Sequence, residues 1–354
     1  MNPDPETTAV RPGEELPMGV LETYLTRHLP GTTGPLVVEQ FPHGHSNLTY
    51  LVRLREQEFV LRRPPFGNQV KTAHDMGREF RVLSKLSAVY PLAPRPFLYC
   101  DDPTVLGVPF YIMERRRGIV LRRAETPGVT IDPATARQLS TALIDNLARL
   151  HGLDYRAADL AELGKPEGYV TRQVTGWINR YANARTDDLP EMEQVGRWLG
   201  DHIPAQSEAA LVHNDYKYDN LVLDPANLTR IVAVLDWEMA TIGDPLMDLG
   251  TTLGYWIEAT DPEEVRAGAF GPTAVPGSLT RRELVARYAE QTGRDVSNIL
   301  FYYSFGLYKI AVIVQQIYAR YVRGYTQDPR FARLNALVVA LSRQALRAQA
   351  TGQV

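Results

Sequence analysis

Hydrophobic positions follow two regimes along the chain. From about Gly34 to Arg62 they form short β-rich runs, Leu36 to Phe41, Leu48 to Leu54 and Phe59 to Leu61, separated by turn or polar residues, which predicts antiparallel strands. From about Ala73 to Leu86 the spacing becomes helical, with Phe80, Leu83 and Leu86 on one stripe and Glu79 beside it. Two further runs, Phe97 to Cys100 and Val108 to Met113, would complete a five-stranded sheet, and Glu114 to Gly118 reads as a connector. Beyond about Asp132 the pattern is helix-like, apart from one strand–turn–strand unit: Leu221 to Leu223, a turn at Asp224-Pro225-Ala226-Asn227, and Ile231 to Leu235. The predicted class is α+β, with a small antiparallel N-lobe over residues 14–115 and a mostly helical C-lobe over 116–354, after a flexible tail at 1–13.

Composition narrows the setting. A chain of 354 residues exceeds most single compact cores, in keeping with two lobes. The formal net charge of −3 offers no basic surface to nucleic acid or to an anionic membrane. Cys100 is the sole cysteine, which rules out an internal disulfide framework and predicts a reducing, cytoplasmic setting. The Pro-, Asp-, Glu- and Thr-rich opening residues lack the basic and apolar regions of a signal or transit peptide. The most apolar stretch, Ile299 to Ala319, is interrupted by Lys309, Gln315 and Gln316 and predicts a buried helix instead of a membrane span. No internal repeat or low-complexity tract stands out.

The chemistry gathers around the hairpin. Leu211 to Leu221 reads L-V-H-N-D-Y-K-Y-D-N-L, and Ile231 to Glu238 reads I-V-A-V-L-D-W-E. In the pattern H-R-D-x-x-x-x-N, the Asp accepts the proton of a substrate hydroxyl and the Asn holds one magnesium, while a later Asp at a strand end holds another. His213, Asp215, Asn220 and Asp236 fill these four places. Phosphoryl transfer needs little covalent help, so positioning and cations carry it, and magnesium prefers carboxylate and amide oxygens. The hairpin would bring the metal-ligand candidates Asn220 and Asp236 together at adjacent strand ends. Lys217, two residues after Asp215, could neutralise developing charge.

This loop resembles the aminoglycoside phosphotransferase and choline kinase branch of the protein-kinase-like superfamily, as do Asp236-Trp237-Glu238, Gly243-Asp244-Pro245 and Asp248. The resemblance implies a bilobal protein-kinase-like fold that uses ATP and Mg2+ to phosphorylate a small-molecule hydroxyl, with Asp248 bracing the catalytic loop. In the N-lobe, Gly44-His45-Ser46-Asn47-Leu48-Thr49-Tyr50 takes the place of the glycine-rich loop, where Gly44 and Ser46 would let backbone N–H groups approach phosphate, although it holds one glycine only. Arg62 stands where protein kinases carry the phosphate-contacting lysine, with Arg63 as the other candidate, and Glu79 is its expected helix partner. Asn47, Thr49, Met113 and Glu114 complete the candidate nucleotide contacts.

Several segments narrow the resemblance to the kinase-like domains associated with acyl-CoA dehydrogenases: Gly44-x-Ser46-Asn47, Phe59 to Pro65, Arg172-Gln173-Val174-x-x-Trp177 and Leu235 to Pro245. That group implies a hydroxyacyl-CoA acceptor and a functional link to an acyl-CoA dehydrogenase. Arg172, Arg180 and Arg185 are then candidates to meet the CoA phosphates. Tyr169, Trp177, Tyr255 and Trp256 could line an acyl pocket beneath a mobile loop at Gly268 to Ser278. An aminoglycoside or amino-alcohol kinase, a catalytically silent nucleotide-binding module, and a metal-dependent hydrolase using His213, Asp215 and Asp236 are the alternatives.

Overall fold

The computed structural model describes residues 6–29, 31–32, 34–42, 47–66, 75–122, 126, 128–205 and 208–354. Two compact units emerge, Met1–Arg117 with Ala233–Glu238, and Gly118–Val232 with Met239–Val354. This is the mixed architecture anticipated from the hydrophobic pattern: an antiparallel N-terminal sheet and a helical remainder.

The first unit opens with α1 (Met18–His28) and continues with β1 (Leu36–Gln40), β2 (Leu48–Leu54), β3 (Gln57–Arg63), α2 (Met76–Val89), β4 (Pro96–Cys100), the one-turn helix α3 (Pro103–Leu106) and β5 (Phe110–Glu114). The strands form one sheet in the order β1-β2-β3-β5-β4, antiparallel at every pairing. One sheet face buries Tyr50, Val52, Leu54, Phe59, Leu61, Phe110 and Ile112 with Leu21 and Leu25 of α1. Because side chains alternate along a strand, Arg62 and Arg63 point to opposite faces. Ahead of α1 the expected tail is tied to the sheet, since Thr8 bridges Gln40 and the Arg11 N–H donates to Gln40 Oε1 at 2.9 Å. Asp75 caps α2 by accepting the Arg78 N–H at 2.8 Å. The helix buries Glu79 together with Val82, Leu83 and Leu86, one helical stripe in which a carboxylate takes an apolar place. Its anticipated first residues, near Ala73, lie outside the described residues.

In the second unit α4 (Pro133–His151), α5 (Tyr169–Ala184) and α6 (Pro190–Asp201) precede β6 (Ala210–Val212), β7 (Leu221–Asp224), β8 (Asn227–Val234) and β9 (Thr241–Gly243). The strands pair as β6 with β9 and as the hairpin β7 with β8. Then follow α7 (Pro245–Tyr255), α8 (Glu263–Arg266), α9 (Arg281–Thr292), α10 (Ile299–Val322) and α11 (Leu334–Thr351). Helix α10 is the apolar stretch noted in the sequence, and no helix among the described residues is long and apolar enough to cross a membrane.

Helices α7 and α10 meet at backbone level. A Cβ on Gly250 would lie 2.1 Å from Tyr302 O, and one on Gly306 would lie 2.0 Å from Gly250 O. Neither contact can be relieved by turning a side chain, so both positions require glycine. Gly250→Ala should therefore lower the unfolding free energy by about 3 kcal/mol, despite alanine's better helix propensity; urea denaturation showing unchanged stability would contradict the close crossing.

Candidate active site

The candidate residues divide between the two units. In the first, Arg62 on β3 is buried and its guanidinium is shared: Nη1 donates to Glu79 Oε1 at 2.9 Å, Nη2 to Asp236 Oδ1 at 3.0 Å, and Glu238 Oε2 lies 3.7 Å away. Burial works against this charge, but Glu79, Tyr111, Asp236 and Glu238 outweigh it and hold the guanidinium protonated. Burial in turn pushes the Glu79 carboxyl above its ordinary range, with the Arg62 charge opposing. Arg63, by contrast, donates to Pro64 O and stacks 3.7 Å from the Phe66 ring centroid, so Arg62 is the arginine that meets the acidic residues.

The segment bearing Asp236 is fixed by its surroundings. The Val234 N–H donates to Leu92 O at 2.8 Å, Trp237 Nε1 donates to Val234 O at 2.8 Å, and the Trp237 ring packs edge-on against Tyr90. Asp236 itself adopts φ 66°, a left-handed conformation that is uncommon outside glycine. Asn47 is buried and donates to Glu238 Oε2 at 2.8 Å. Thr49 sits opposite Arg62 in the β2–β3 register, and Met113 and Glu114 end β5. Gly44 and Ser46 lie outside the described residues.

In the second unit the loop after β6 is held by its backbone. Asp248 Oδ2 accepts the His213 N–H at 2.6 Å and Oδ1 accepts the Asn214 N–H at 2.8 Å. From α4, His151 Nε2 reaches Asp248 Oδ2 at 3.2 Å while its Nδ1 meets Tyr288 Oη at 2.7 Å. Burial alone would raise the Asp248 pKa, but hydrogen bonds from His151 and the His213 backbone leave the carboxyl below its ordinary range. His213 is fully buried, and its Nδ1 accepts the Asp215 N–H at 3.2 Å, a contact that shapes the loop. Asn214 takes φ 68°, and its carbonyl accepts from the buried ammonium of Lys309 at 2.5 Å. Burial lowers the Lys309 pKa to about 8.

Asp215 stands at the end of this scaffold. Lys217 Nζ donates to both carboxylate oxygens at 2.8 Å, Tyr255 Oη donates to Oδ1 at 2.8 Å, and Asn220 Nδ2 donates to Oδ2 at 2.9 Å and to Asp215 O at 2.8 Å. Burial would raise the Asp215 pKa; Lys217, with help from His213 and Tyr255, turns the shift downward and keeps the carboxylate ionised. Lys217 is held protonated, since Tyr255 and Asp215 outweigh its burial. Three residues of α7 reach the loop from one helix face, Asp248, Thr252 and Tyr255, with Thr252 Oγ1 donating to Tyr216 O at 2.9 Å. Sequence reasoning found Asp248 but missed Thr252 and the Tyr255 hydroxyl. Their i, i+4, i+7 spacing was the available signal.

Other expected contacts are distributed differently. Arg185 is engaged by Asp188 and Glu193, both at 2.7 Å, and Arg172 donates to the carbonyls of Lys165 and Glu167. Arg180 stacks 4.6 Å from the Trp177 ring. The three arginines therefore do not form one free cationic cluster. Of the four aromatic residues, all buried, Tyr255 is the one bonded to Asp215, while Tyr169 exchanges hydrogen bonds with Asn214 and Trp256 Nε1 donates to Leu279 O. The segment Gly268 to Ser278 is packed down: Gly271, at φ 76°, lies against Tyr218 and Leu121 O, and Thr273 Oγ1 accepts the Ile257 N–H at 3.1 Å.

Residues 37–284 match the phosphotransferase enzyme family APH. The chain is 36% identical over 324 residues to acyl-CoA dehydrogenase family member 10 of Mus musculus, covering 90% of this chain and 30% of that protein, so it spans less than a third of that relative's length. Among solved structures, a proposed aminoglycoside phosphotransferase from Ralstonia eutropha superposes with a TM-score of 0.77 at 31% identity, over 94% of this chain and 99% of the other. Choline kinase from Cryptosporidium parvum shares the fold, with a TM-score of 0.62 at 14% identity over 94% and 97%.

Asp248 provides a test of the scaffold that is separate from chemistry. Asp248→Ala strands two buried backbone N–H groups and His151, and should destabilise by about 3 kcal/mol. Because the folded-state pKa is depressed, the carboxylate's contribution is present above the ordinary carboxylate range and fades as pH falls through the lowered value. The stability gap between wild type and variant, measured by denaturant titration, should be wide at neutral pH and narrow below about pH 4.

Proposed function

Since the chain belongs to the phosphotransferase enzyme family and is thereby a kinase acting on a hydroxyl acceptor, we propose that it moves the γ-phosphate of ATP to a metabolite hydroxyl, with Asp215 as proton acceptor. The supporting observation is the Asp215 carboxylate, half-buried yet kept ionised by Lys217 and oriented by Asn220 and Tyr255. As the acceptor oxygen bonds to the γ-phosphorus and the bond to the β-phosphate oxygen breaks, the hydroxyl proton passes to Asp215 and ADP leaves. Lys217 then counters charge on the transferred group. His213, with no exposed surface, acts by positioning the loop.

In this reading residues 14–115 bind the nucleotide, through Gly44, Ser46, Asn47, Thr49, Met113 and Glu114, and residues 116–354 carry the catalytic loop and the acceptor pocket. Arg62 and Glu79 form the buried ion pair of the nucleotide lobe, with Arg62 also restraining Asp236. The donor chemistry suits magnesium: Asn220 hydrogen-bonds through Nδ2 and Asp236 through Oδ1, so each retains an oxygen without a hydrogen bond among the described residues. No cluster of three or more His, Cys, Asp or Glu among the described residues could hold a metal by itself, and magnesium bound together with phosphates needs only one or two protein oxygens. When bound, the ion supplies positive charge against the phosphate oxygens.

We place the acceptor with hydroxyacyl-CoA. The apolar rings of Tyr255 and Phe270, 5.2 Å apart, stand beside Lys217 and Asp215 and suit an acyl chain, and the Mus musculus relative bears an acyl-CoA dehydrogenase name. Arg180 remains the candidate for the CoA phosphates. A second reading, an aminoglycoside or amino-alcohol acceptor, draws on Asp219, whose buried Oδ1 has no hydrogen-bond partner among the described residues and could meet an acceptor ammonium.

Asp215→Asn should retain nucleotide affinity while turnover falls by roughly a hundred- to ten-thousand-fold, as read by ADP release and calorimetric titration of Mg-ATP. Near-normal turnover would remove Asp215 from the mechanism. For the acceptor, ADP release is expected with a hydroxyacyl-CoA and not with kanamycin; phosphorylation of kanamycin together with silence toward hydroxyacyl-CoA would favour the second reading.

A further inference from the structure

Every acceptor position on the Asp215 carboxylate is taken. Oδ1 receives Lys217 Nζ and the Tyr255 hydroxyl, each at 2.8 Å, while Oδ2 receives Lys217 Nζ at 2.8 Å and Asn220 Nδ2 at 2.9 Å. An ionised carboxylate offers about four lone-pair sites. A substrate hydroxyl can therefore donate to Asp215 only after one of these bonds opens.

The three donors are not equally able to leave. Asn220 is bonded through the same amide to Asp215 O at 2.8 Å and lies directly before β7. Tyr255 is buried at the end of α7, where Phe270 packs edge-on against its ring. Lys217 sits on a flexible four-carbon stem, and beyond Asp215 its ammonium faces two rings, 4.4 Å from the Tyr255 centroid and 6.0 Å from that of Phe270, with the Asp219 charge acting on it as well. Lys217 is the donor that can move, and its departure opens one position on each oxygen.

We infer that Tyr255 is a positioning residue for the proton acceptor: its hydroxyl and the Asn220 amide grip opposite oxygens of Asp215 and hold the carboxylate plane while the place vacated by Lys217 receives the substrate hydroxyl. The inference rests on the phosphotransfer reading given above. Tyr255 suits the role because burial, reinforced by the Asp215 charge, keeps its phenol protonated and thus a donor. It is also placed by the helix that fixes the loop backbone, seven residues after Asp248 and three after Thr252, so backbone and side chain of the loop take their positions from one face of α7. The ring has a separate use, as the surface under the Lys217 ammonium, and Tyr255→Phe removes the hydroxyl while leaving that surface.

The test uses the full chain with Mg-ATP, scored by single-turnover ADP formation with a hydroxyacyl-CoA and, separately, with water as acceptor. Tyr255→Phe should lower the rate of the chemical step about ten- to a hundredfold, the range for a hydrogen bond to a charged group. Its KM for Mg-ATP and its unfolding midpoint should stay at wild-type values. Acting through Asp215, it should add nothing in the Asp215→Asn background, whereas a purely structural effect would multiply with that substitution. Wild-type rates in Tyr255→Phe beside an inactive Asp215→Asn would overturn the inference alone, as would full multiplication in the double variant. Wild-type turnover in Asp215→Asn would remove Asp215 as the proton acceptor and the role of Tyr255 with it, whereas no ADP formation by the wild-type chain would overturn the phosphotransfer reading itself.

Discussion

The second unit depends on one buried carboxylate. Asp248 has no exposed surface, and it compensates for the loss of water with two backbone N–H groups of the loop after β6 and one imidazole. A charge in that position is tolerable only when fully satisfied, so the loop backbone has little freedom to choose another path. The unusual conformation of Asn214 then becomes a local consequence, anchored from the other side by the Lys309 ammonium on its carbonyl. Lys309 has no ion-pair partner among the described residues; the peptide dipole and the Trp177 face at 5.8 Å are what receive it.

The first unit solves a similar problem with the opposite sign. Arg62 is a cation under the sheet, and three carboxylates converge on it: Glu79, Asp236 and Glu238. A lysine would offer a single point charge where the arginine fork spans two acidic groups at once. An arginine at this position therefore has a geometric reason, and one arm of its fork reaches Asp236, whose backbone is left-handed.

Much of this was legible in the sequence because it lay in local pattern. The five strands follow the short β-rich hydrophobic runs, and β2 spans the same residues, Leu48 to Leu54, that the pattern marks. The pairing of Arg62 with Glu79 was recoverable because helical spacing put Glu79 beside an apolar stripe, although the buried stripe runs through Val82 and Leu83 and leaves Phe80 half-buried. What escaped was contact between distant segments. His151 stands 97 positions from Asp248, and nothing around it in sequence marks it as a brace. Arg185 looked available for phosphate because its engagement by Asp188 and Glu193 depends on how the chain turns between α5 and α6. Tyr255 was grouped with Tyr169, Trp177 and Trp256 for its ring, as a wall for an acyl chain, whereas its hydroxyl is what reaches Asp215.

The glycine contact between α7 and α10 bears on how such an enzyme could be retuned. Asp248 and Tyr255 ride on one of these helices and Lys309 on the other, so the two backbones in contact at Gly250 and Gly306 act as a spacer that sets the distance between the loop's two supports. A methyl group inserted there would push the two supports apart and displace the loop that carries Asp215. Substitution therefore has almost no room along that crossing, where a Cβ added at either glycine would lie within 2.1 Å of a backbone oxygen.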